Sequence, residues 1–459
     1  MQVLSDLLQP LKNTVRSSRE NPVELCKNPD ELDQVLKIIP QTEKHVEHMQ
    51  ELINNLLLDL WKPNDPEGIQ SGQEVHVRIP SSHLNEMKNA LLQNNIPYSV
   101  FIDDVQQLIE TNTVYNRNAK SVSLGTFDYT KYHPMDEIYA WSHQIRDAYP
   151  DLVTLNFLGS TYEIRPIYYF KIGLPSNKKK KVIWMDCGIH AREWISVAFC
   201  QWFIRELLER HNSNKIIQKA LENMDFYIVP VINIDGFVYS WTTERLWRKT
   251  RSPHNNGTCF GVDLNRNFDS SWCSIGASTN CSANTFCGPK PFSEPEAVAV
   301  KQMVESLKSD ILCFLTMHSY SQLILLPYGY TLNLSQNHEE MMVVGEKAAD
   351  SQVPVHGIRY RVGPASHILY SNAGSSMDWA TDLGIPLSYT FELRDNGTYG
   401  FVLPEDQIQP TCEETTAAVL SIIEYLNEKH YNSASSIFSG TLWINLSFSV
   451  IIGTYYSLF

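Results

Sequence analysis

His190 and Glu193 stand three residues apart in the stretch Cys187-Gly188-Ile189-His190-Ala191-Arg192-Glu193-Trp194. An imidazole and a carboxylate at that spacing can point at one ion and supply two of the ligands that zinc accepts. Alone the pair is a weak signal, because such residues on a turn are usually just solvated. His318, in Met317-His318-Ser319-Tyr320, offers a third ligand at the end of an apolar run from Ile311 to Leu315. Glu392, in Phe391-Glu392-Leu393-Arg394-Asp395, ends a further run that begins at Ile385, and Tyr370 lies in a Gly/Ser-rich loop before it. Arg248 falls in the basic run Arg245 to Arg251, and Asn265 and Arg266 in Gly261-Val262-Asp263-Leu264-Asn265-Arg266-Asn267. A metal, a carboxylate base and a cation to hold a developing oxyanion are the parts of a metal-assisted hydrolase. The bland readings are a Glu392–Arg394 ion pair, a surface Arg248 and turn residues at Asn265 and Arg266.

Those residues need rigid elements to hold them. Val182-Ile183-Trp184-Met185 reads as a buried strand that breaks at Gly188, and a helix resumes from Trp194 with Phe199, Trp202 and Phe203 on its apolar face. His190 and Glu193 are thereby placed at a strand's C-terminal end, where open α/β sheets bind ligands. Apolar runs at 182–186, 226–233, 311–317 and 385–391 alternate with helical patterns. The predicted fold is α/β, a mixed, mostly parallel sheet covered by helices on both faces. Thr411 to Leu426 is a closing amphipathic helix, with Ala418, Ile422 and Leu426 on one face.

Together these motifs resemble the zinc metallocarboxypeptidases of the A/B type, in order and with nearly uniform spacing, over about residues 35 to 430. The resemblance implies one Zn²⁺ per chain on His190, Glu193 and His318, with the fourth position kept for water. It implies Glu392 as the base, Arg248 at the oxyanion, and Arg266 with Asn265 on the substrate's terminal carboxylate. Tyr370 would close over the bound C-terminus and donate its hydroxyl. Arg192, Ser319, Tyr320 and Phe401 would bind substrate, Arg192 toward its N-terminal side. Met377 occupies the floor of the specificity pocket. Disulfides Cys187–Cys200, Cys259–Cys281 and Cys273–Cys287 are implied too, with a one-residue shift around Cys281. The run Ile385 to Leu426 is most similar to a branch of the family in which an arginine stands at the floor and acidic C-terminal residues are favoured. Met377 departs from that branch and points instead to apolar residues.

The chain divides into five segments. Residues 1–34 are polar and show no secretory signal, which conflicts with the cysteine usage; the expectation is that this start is misassigned. Residues 35–110 read as a pro-domain. Val35 to Pro40 is a strand, Thr42-Glu43 opens a helix to about Leu58, and Glu74 to Ile79 is a strand. Ser81-Ser82 caps a helix to Gln93, and Tyr98 to Ile102 is another strand. That order suggests a small ferredoxin-like α+β sandwich, and it resembles the family's inhibitory pro-segment. Residues 111–126 form an exposed linker whose Arg117 and Lys120 are the expected targets of an activating trypsin-like protease. Residues 127–430 form the catalytic unit. In 431–459 no Lys, Arg, Asp or Glu follows Lys429, and Ser433 to Ser436 precede an apolar stretch from about Leu442. That is the pattern of a GPI attachment signal, placing the protein on the outer membrane leaflet through a lipid anchor.

The formal net charge of −14 argues against nucleic acid as a partner. Nine cysteines, six of them between Cys187 and Cys287, suggest an oxidising compartment. Cys26, Cys313 and Cys412 remain, with Cys313 expected as an inert core thiol. Asn256-Gly257-Thr258, Asn333-Leu334-Ser335 and Asn396-Gly397-Thr398 are glycan acceptor triplets. The reading is an extracellular, monomeric metallocarboxypeptidase acting on peptide and protein C-termini, anchored at the cell surface or secreted. The alternative is a catalytically silent peptide-binding protein of the cell surface.

Overall fold

The computed structural model describes residues 32–112 and 124–432. Cys26, Arg117, Lys120 and the apolar tail lie outside the described residues. No helix among the described residues is long and apolar enough to cross a membrane.

The small N-terminal unit is a four-stranded antiparallel sheet in the order β2-β3-β1-β4. Its strands are β1 (Gln34–Ile38), β2 (Asp59–Lys62), β3 (Val75–Ile79) and β4 (Tyr98–Ile102). Helices Glu43–Leu56 and Ser81–Gln93 bury Val46, Met49, Ile53, Leu84, Met87 and Leu91, each one helical turn or two apart, against Leu36, Ile38, Val75 and Val77. One strand goes beyond those expected from the sequence, and one sequence expectation needs correction. β2 had not been recognised as a strand, because four residues reading Asp-Leu-Trp-Lys give too short an alternation to register. Ser81 and Ser82 do not cap the second helix. They lie inside its first turn, and the N–H of Ser81 donates to Asp33 Oδ1 at 3.0 Å. The helix start is satisfied from a distant part of the chain.

The large unit is built on an eight-stranded sheet in the order β13-β12-β14-β11-β7-β8-β6-β5. The strands are β5 (Val153–Ser160), β6 (Pro166–Ile172), β7 (Lys181–Cys187), β8 (Met224–Val229), β11 (Ile311–Ser319), β12 (Leu323–Leu326), β13 (Arg361–Pro364) and β14 (Leu387–Leu393). Outside it, β9 (Pro253–His254) and β10 (Cys259–Phe260) make a short ribbon. The central strands β8, β7, β11 and β14 run parallel, so their C-terminal ends share one edge. All nine residues of β11 are buried, as a strand covered on both faces requires. Helices flank both faces; Trp194–Arg210, Lys215–Asn223 and His338–His356 pack against Ile408–Asn427, which buries Ala418, Ile422 and Leu426.

Cysteines 187 and 200, 259 and 281, and 273 and 287 are bonded. Cys313 and Cys412 are free and buried.

The hairpin joining β5 to β6 holds Ile164 at φ 65° with 83% of its surface exposed. A β-branched residue pays for that left-handed conformation without gaining burial. Ile164→Gly is expected to relieve the strain by more than it adds to unfolded-chain entropy. Its apparent Tm, read by calorimetry, should rise by about 1–3 °C. An unchanged or lower Tm would show that the conformation costs nothing here.

Candidate active site

The C-terminal edge of the parallel strands is where the chemistry gathers. β7 ends at Cys187 and the chain turns at Gly188, whose φ is 64°; a Cβ there would lie 2.9 Å from Val197 Cγ2. Only glycine fits that turn, and the turn aims His190 back over the sheet. Glu193 is the residue before the helix Trp194–Arg210. β11 brings His318, and its parallel neighbour β14 brings Glu392 into register directly beside it.

Donor atoms of His190, Glu193 and His318 lie within 4.8 Å of one another, all buried. His190 Nδ1 is 2.8 Å from Glu193 Oε1 and 3.1 Å from His318 Nδ1, and His318 Nδ1 is 3.2 Å from Glu193 Oε2. The other ring nitrogens fix the tautomers. His190 Nε2 faces Asp263 Oδ1 at 3.1 Å and donates to it. Thr316 Oγ1 donates to Asp186 Oδ1 at 2.7 Å and so accepts from His318 Nε2 at 3.2 Å. Both Nδ1 atoms therefore present lone pairs toward each other and toward a carboxylate. That arrangement is repulsive without a cation between the three, and it is the donor set and outer support that zinc takes.

A single cavity beside these residues is lined by His190, Glu193, Arg248, Asn265, Arg266, Ser319, Tyr320, Tyr370, Met377, Glu392 and Phe401. His318 is buried next to it, and Arg192 sits outside it with its guanidinium 3.9 Å from the Phe401 ring centre. Asp263 holds Arg248 by Nε (3.1 Å) and Nη2 (2.9 Å), leaving Nη1 3.7 Å from Glu193 Oε1. Arg266 is buried in a short turn, with Nε on Gly276 O and Nη1 on Asn265 O. Asn265 Oδ1 accepts from the N–H of Ser376 at 3.0 Å. Neither Arg248 nor Arg266 is a surface cation. Arg394 turns away from Glu392 and pairs with Glu414 (Nε–Oε1 2.9 Å), which removes the ion-pair reading of Glu392. Burial, then the charge of Glu193, pushes the Glu392 carboxyl well above its usual range, against Arg248 and Arg266.

Met377 is buried among Leu323, Leu325 and Ala365, with Ile368 and Leu369 packed alongside. Its sulfur accepts from Thr390 Oγ1 at 3.4 Å.

Sequence reasoning missed the groups that support this site. Asp263 clamps both His190 and Arg248, and an acid beside Asn265 and Arg266 is the sort of outer partner a ligand histidine requires. Arg245, buried, donates from Nη1 to Arg192 O and from Nη2 to Phe401 O, both at 2.8 Å. Burial pushes its pKa down to about 9.

The small unit lies on the cavity's mouth. Trp61 meets Phe401 edge-on at 5.1 Å between ring centres, and His76 Nδ1 is 2.9 Å from the Tyr320 hydroxyl. Asn64 donates to the Tyr370 hydroxyl, and Asp59 pairs with Arg192. The free space left in the cavity is about 40 Å³, room for a few waters and not for a peptide side chain.

The profile described as zinc carboxypeptidase matches residues 138–418, and that described as carboxypeptidase activation peptide matches residues 36–112. The chain is 61% identical to carboxypeptidase O of Homo sapiens over 335 residues, covering 72% of this chain and 90% of the relative. It is 42% identical to carboxypeptidase B of Rattus norvegicus over 399 residues, 87% and 95% of the two chains. The crystal structure of thrombin activatable fibrinolysis inhibitor superposes with a TM-score of 0.81 at 41% identity, covering 86% of this chain and 99% of that one. The chain belongs to the zinc carboxypeptidase family, with that family's activation peptide ahead of the enzyme.

Proposed function

We propose that the enzyme removes single C-terminal residues from peptides and proteins, prefers apolar and aromatic ones, and is held inactive by its own small unit. The observation that carries this reading is that Arg266 and Glu392 line one cavity with His190 and Glu193, so a carboxylate grip and a base face the same metal position.

Arg266 takes the terminal carboxylate of the substrate with its guanidinium. The Asn265 NH₂ group helps, because its oxygen is already used by Ser376. When bound, zinc polarises the scissile carbonyl and lowers the pKa of its water. Glu392 takes a proton from the attacking water at its carboxylate and delivers it to the leaving amine. Arg248, fixed from behind by Asp263, offers Nη1 to the oxygen that gains charge. The Tyr370 hydroxyl closes over the substrate's end once Asn64 has withdrawn. Arg192, Ser319, Tyr320 and Phe401 line the approach of the preceding residues.

The side chain of the departing residue enters the pocket floored by Met377. Burying a substrate carboxylate there, away from a paired cation, would cost several kcal/mol. Burying an apolar side chain gains roughly 1.5–3 kcal/mol. Peptides ending in Leu, Met, Phe or Tyr should therefore be cleaved at least about tenfold better than those ending in Glu or Asp, a gap of roughly 1.4 kcal/mol. Met377→Arg should turn the preference toward Glu. The readout is kcat/KM on paired peptides ending in Phe and Glu, and a parent enzyme that favours Glu refutes the argument from Met377.

The tail from Ser433 to Phe459 supports tethering by a lipid anchor at the outer cell surface. Release of the enzyme from cells by a phosphatidylinositol-specific phospholipase tests that. Persistence on the membrane after treatment would leave a spanning tail, and recovery in the medium without treatment a secreted form.

A further inference from the structure

The edge of the sheet opposite the cleft carries the chain's longest run of basic residues. β7 begins at Lys181, β8 at Met224 and β11 at Ile311, and these starts share one edge because the three strands run parallel. Lys178, Lys179, Lys180 and Lys181 follow one another into β7, and Lys308 stands in the turn that enters β11. The formal net charge of the whole chain is −14, so this positive pole runs against the balance of the molecule. At physiological ionic strength charges beyond about 8 Å are largely screened. A ligand seated at this edge therefore meets the lysines and not the negative surface elsewhere.

The acids nearby do not neutralise the pole. Asp310 is shared by Lys179 and Lys181, and Asp225 by Lys171 and Lys180. Lys178 and Lys308 are exposed and have no acidic partner among the described residues. Lys180 holds the loop in place: its Nζ donates to Leu174 O at 2.7 Å and to Leu221 O at 2.8 Å, and only 7% of its side chain is exposed. Its neighbour turns outward, with 74% of the Lys179 side chain exposed. The charge is thus built onto a fixed strand start.

These lysines border a groove. About 780 Å³ of space lies between Lys171, Lys178, Lys179 and Lys180 on one side and Tyr227 and Leu307 on the other. The Tyr227 ring is held by stacking on Tyr169, with ring centres 5.3 Å apart. A flat bilayer meets only the rim of such a groove, whereas a linear chain can lie along it. A sulfated polysaccharide brings both things the groove takes, anionic groups for the ammonium ions and the C–H faces of sugar rings for the tyrosine. The three disulfides place the folded chain in an oxidising compartment, which sets nucleic acid aside as the polyanion.

We infer that this groove binds a linear sulfated polysaccharide, and that the cleft stays open while it does. The described chain also ends at this edge, where the Tyr431 hydroxyl donates to Asn223 O at 2.9 Å. Held by its tail, as proposed, the enzyme would turn the groove toward the cell surface and the cleft away from it. The inference does not need the tether, because a secreted enzyme would be captured in the same way.

The test is made on the full chain and reads binding without catalysis, so its failure leaves the carboxypeptidase reading standing. Immobilised heparin should retain the protein at physiological ionic strength and release it as salt rises. Lys178→Ser, Lys179→Ser and Lys308→Ser together, all at exposed positions, should weaken binding about tenfold or more. Lys44→Ser, Lys131→Ser and Lys347→Ser remove the same charge from exposed positions elsewhere and should change binding by less than about twofold. Hydrolysis of a short peptide by the activated enzyme should be unaffected by saturating heparin, because the cleft lies at the other edge. A parent protein that heparin does not retain overturns the inference, and so does equal retention of the two triple variants. Heparin that competes with the peptide would place the polyanion in the cleft, and capture by phosphatidylserine vesicles without capture by heparin would make the partner a bilayer; either result also overturns it.

Discussion

Glu392→Gln should lower kcat by roughly 10²–10⁴-fold while the zinc content stays at that of the parent. The carboxylate is not among the three donors that converge, so removing its charge leaves His190, Glu193 and His318 intact. The amide keeps nearly the same shape on β14, so the register with His318 and the buried neighbours are retained. What is lost is the only acid among the described residues lining the cavity, other than Glu193 of the proposed metal site, that could accept the proton of the attacking water. Substrate binding should change little, because Arg266 and the Met377 pocket are untouched. The decisive pair of measurements is single-turnover kinetics and metal content on one preparation. Turnover near the parent value would mean that another group takes the proton.

His318→Ala should act differently, reducing metal and activity together. Two protein ligands would remain where three converge, and zinc sites with an open position for water need three. The change also leaves Thr316 without its imidazole partner inside a fully buried strand, an added cost to folding of about 1–3 kcal/mol. Activity should fall by more than in Glu392→Gln at ordinary zinc concentrations and recover only partly as zinc is added. Stoichiometric zinc by atomic absorption, in a correctly folded variant, would contradict the ligand set. Comparing the two variants separates the holder of the metal from the mover of the proton.

The parts of the molecule legible in the sequence were those written in local pattern. Val182 to Met185 and Ile311 to Leu315 are apolar enough to declare buried strands, and both became central strands of the sheet. The proposed ligands His190, Glu193 and His318 sit at the ends of such runs, so their convergence followed from the fold. Other features depend on groups far apart in the chain. Asp59–Lys62 is too short to show as a strand, and its importance lies in touching Arg192 and Phe401. The cap at Ser81 comes from Asp33 and cannot be read from the residues around the helix. Asp263 carries no local signal of its own beside Asn265 and Arg266, and only the folded chain shows it joining an imidazole to a guanidinium.

The small unit's grip on the cleft has a consequence best stated as effective concentration. While it is joined to the enzyme, its local concentration at the cleft is of the order of millimolar, whatever the protein's dilution. A cut between the units leaves Asp59, Trp61, Asn64 and His76 in place and changes none of the contacts they make. On the proposed reading it turns an intramolecular inhibitor into a ligand that obeys mass action. Cleaved protein kept concentrated should stay largely silent, and the same sample should gain activity on dilution. Were the enzyme tethered at a cell surface, as proposed, dilution into the surrounding volume would complete the activation that a cut begins.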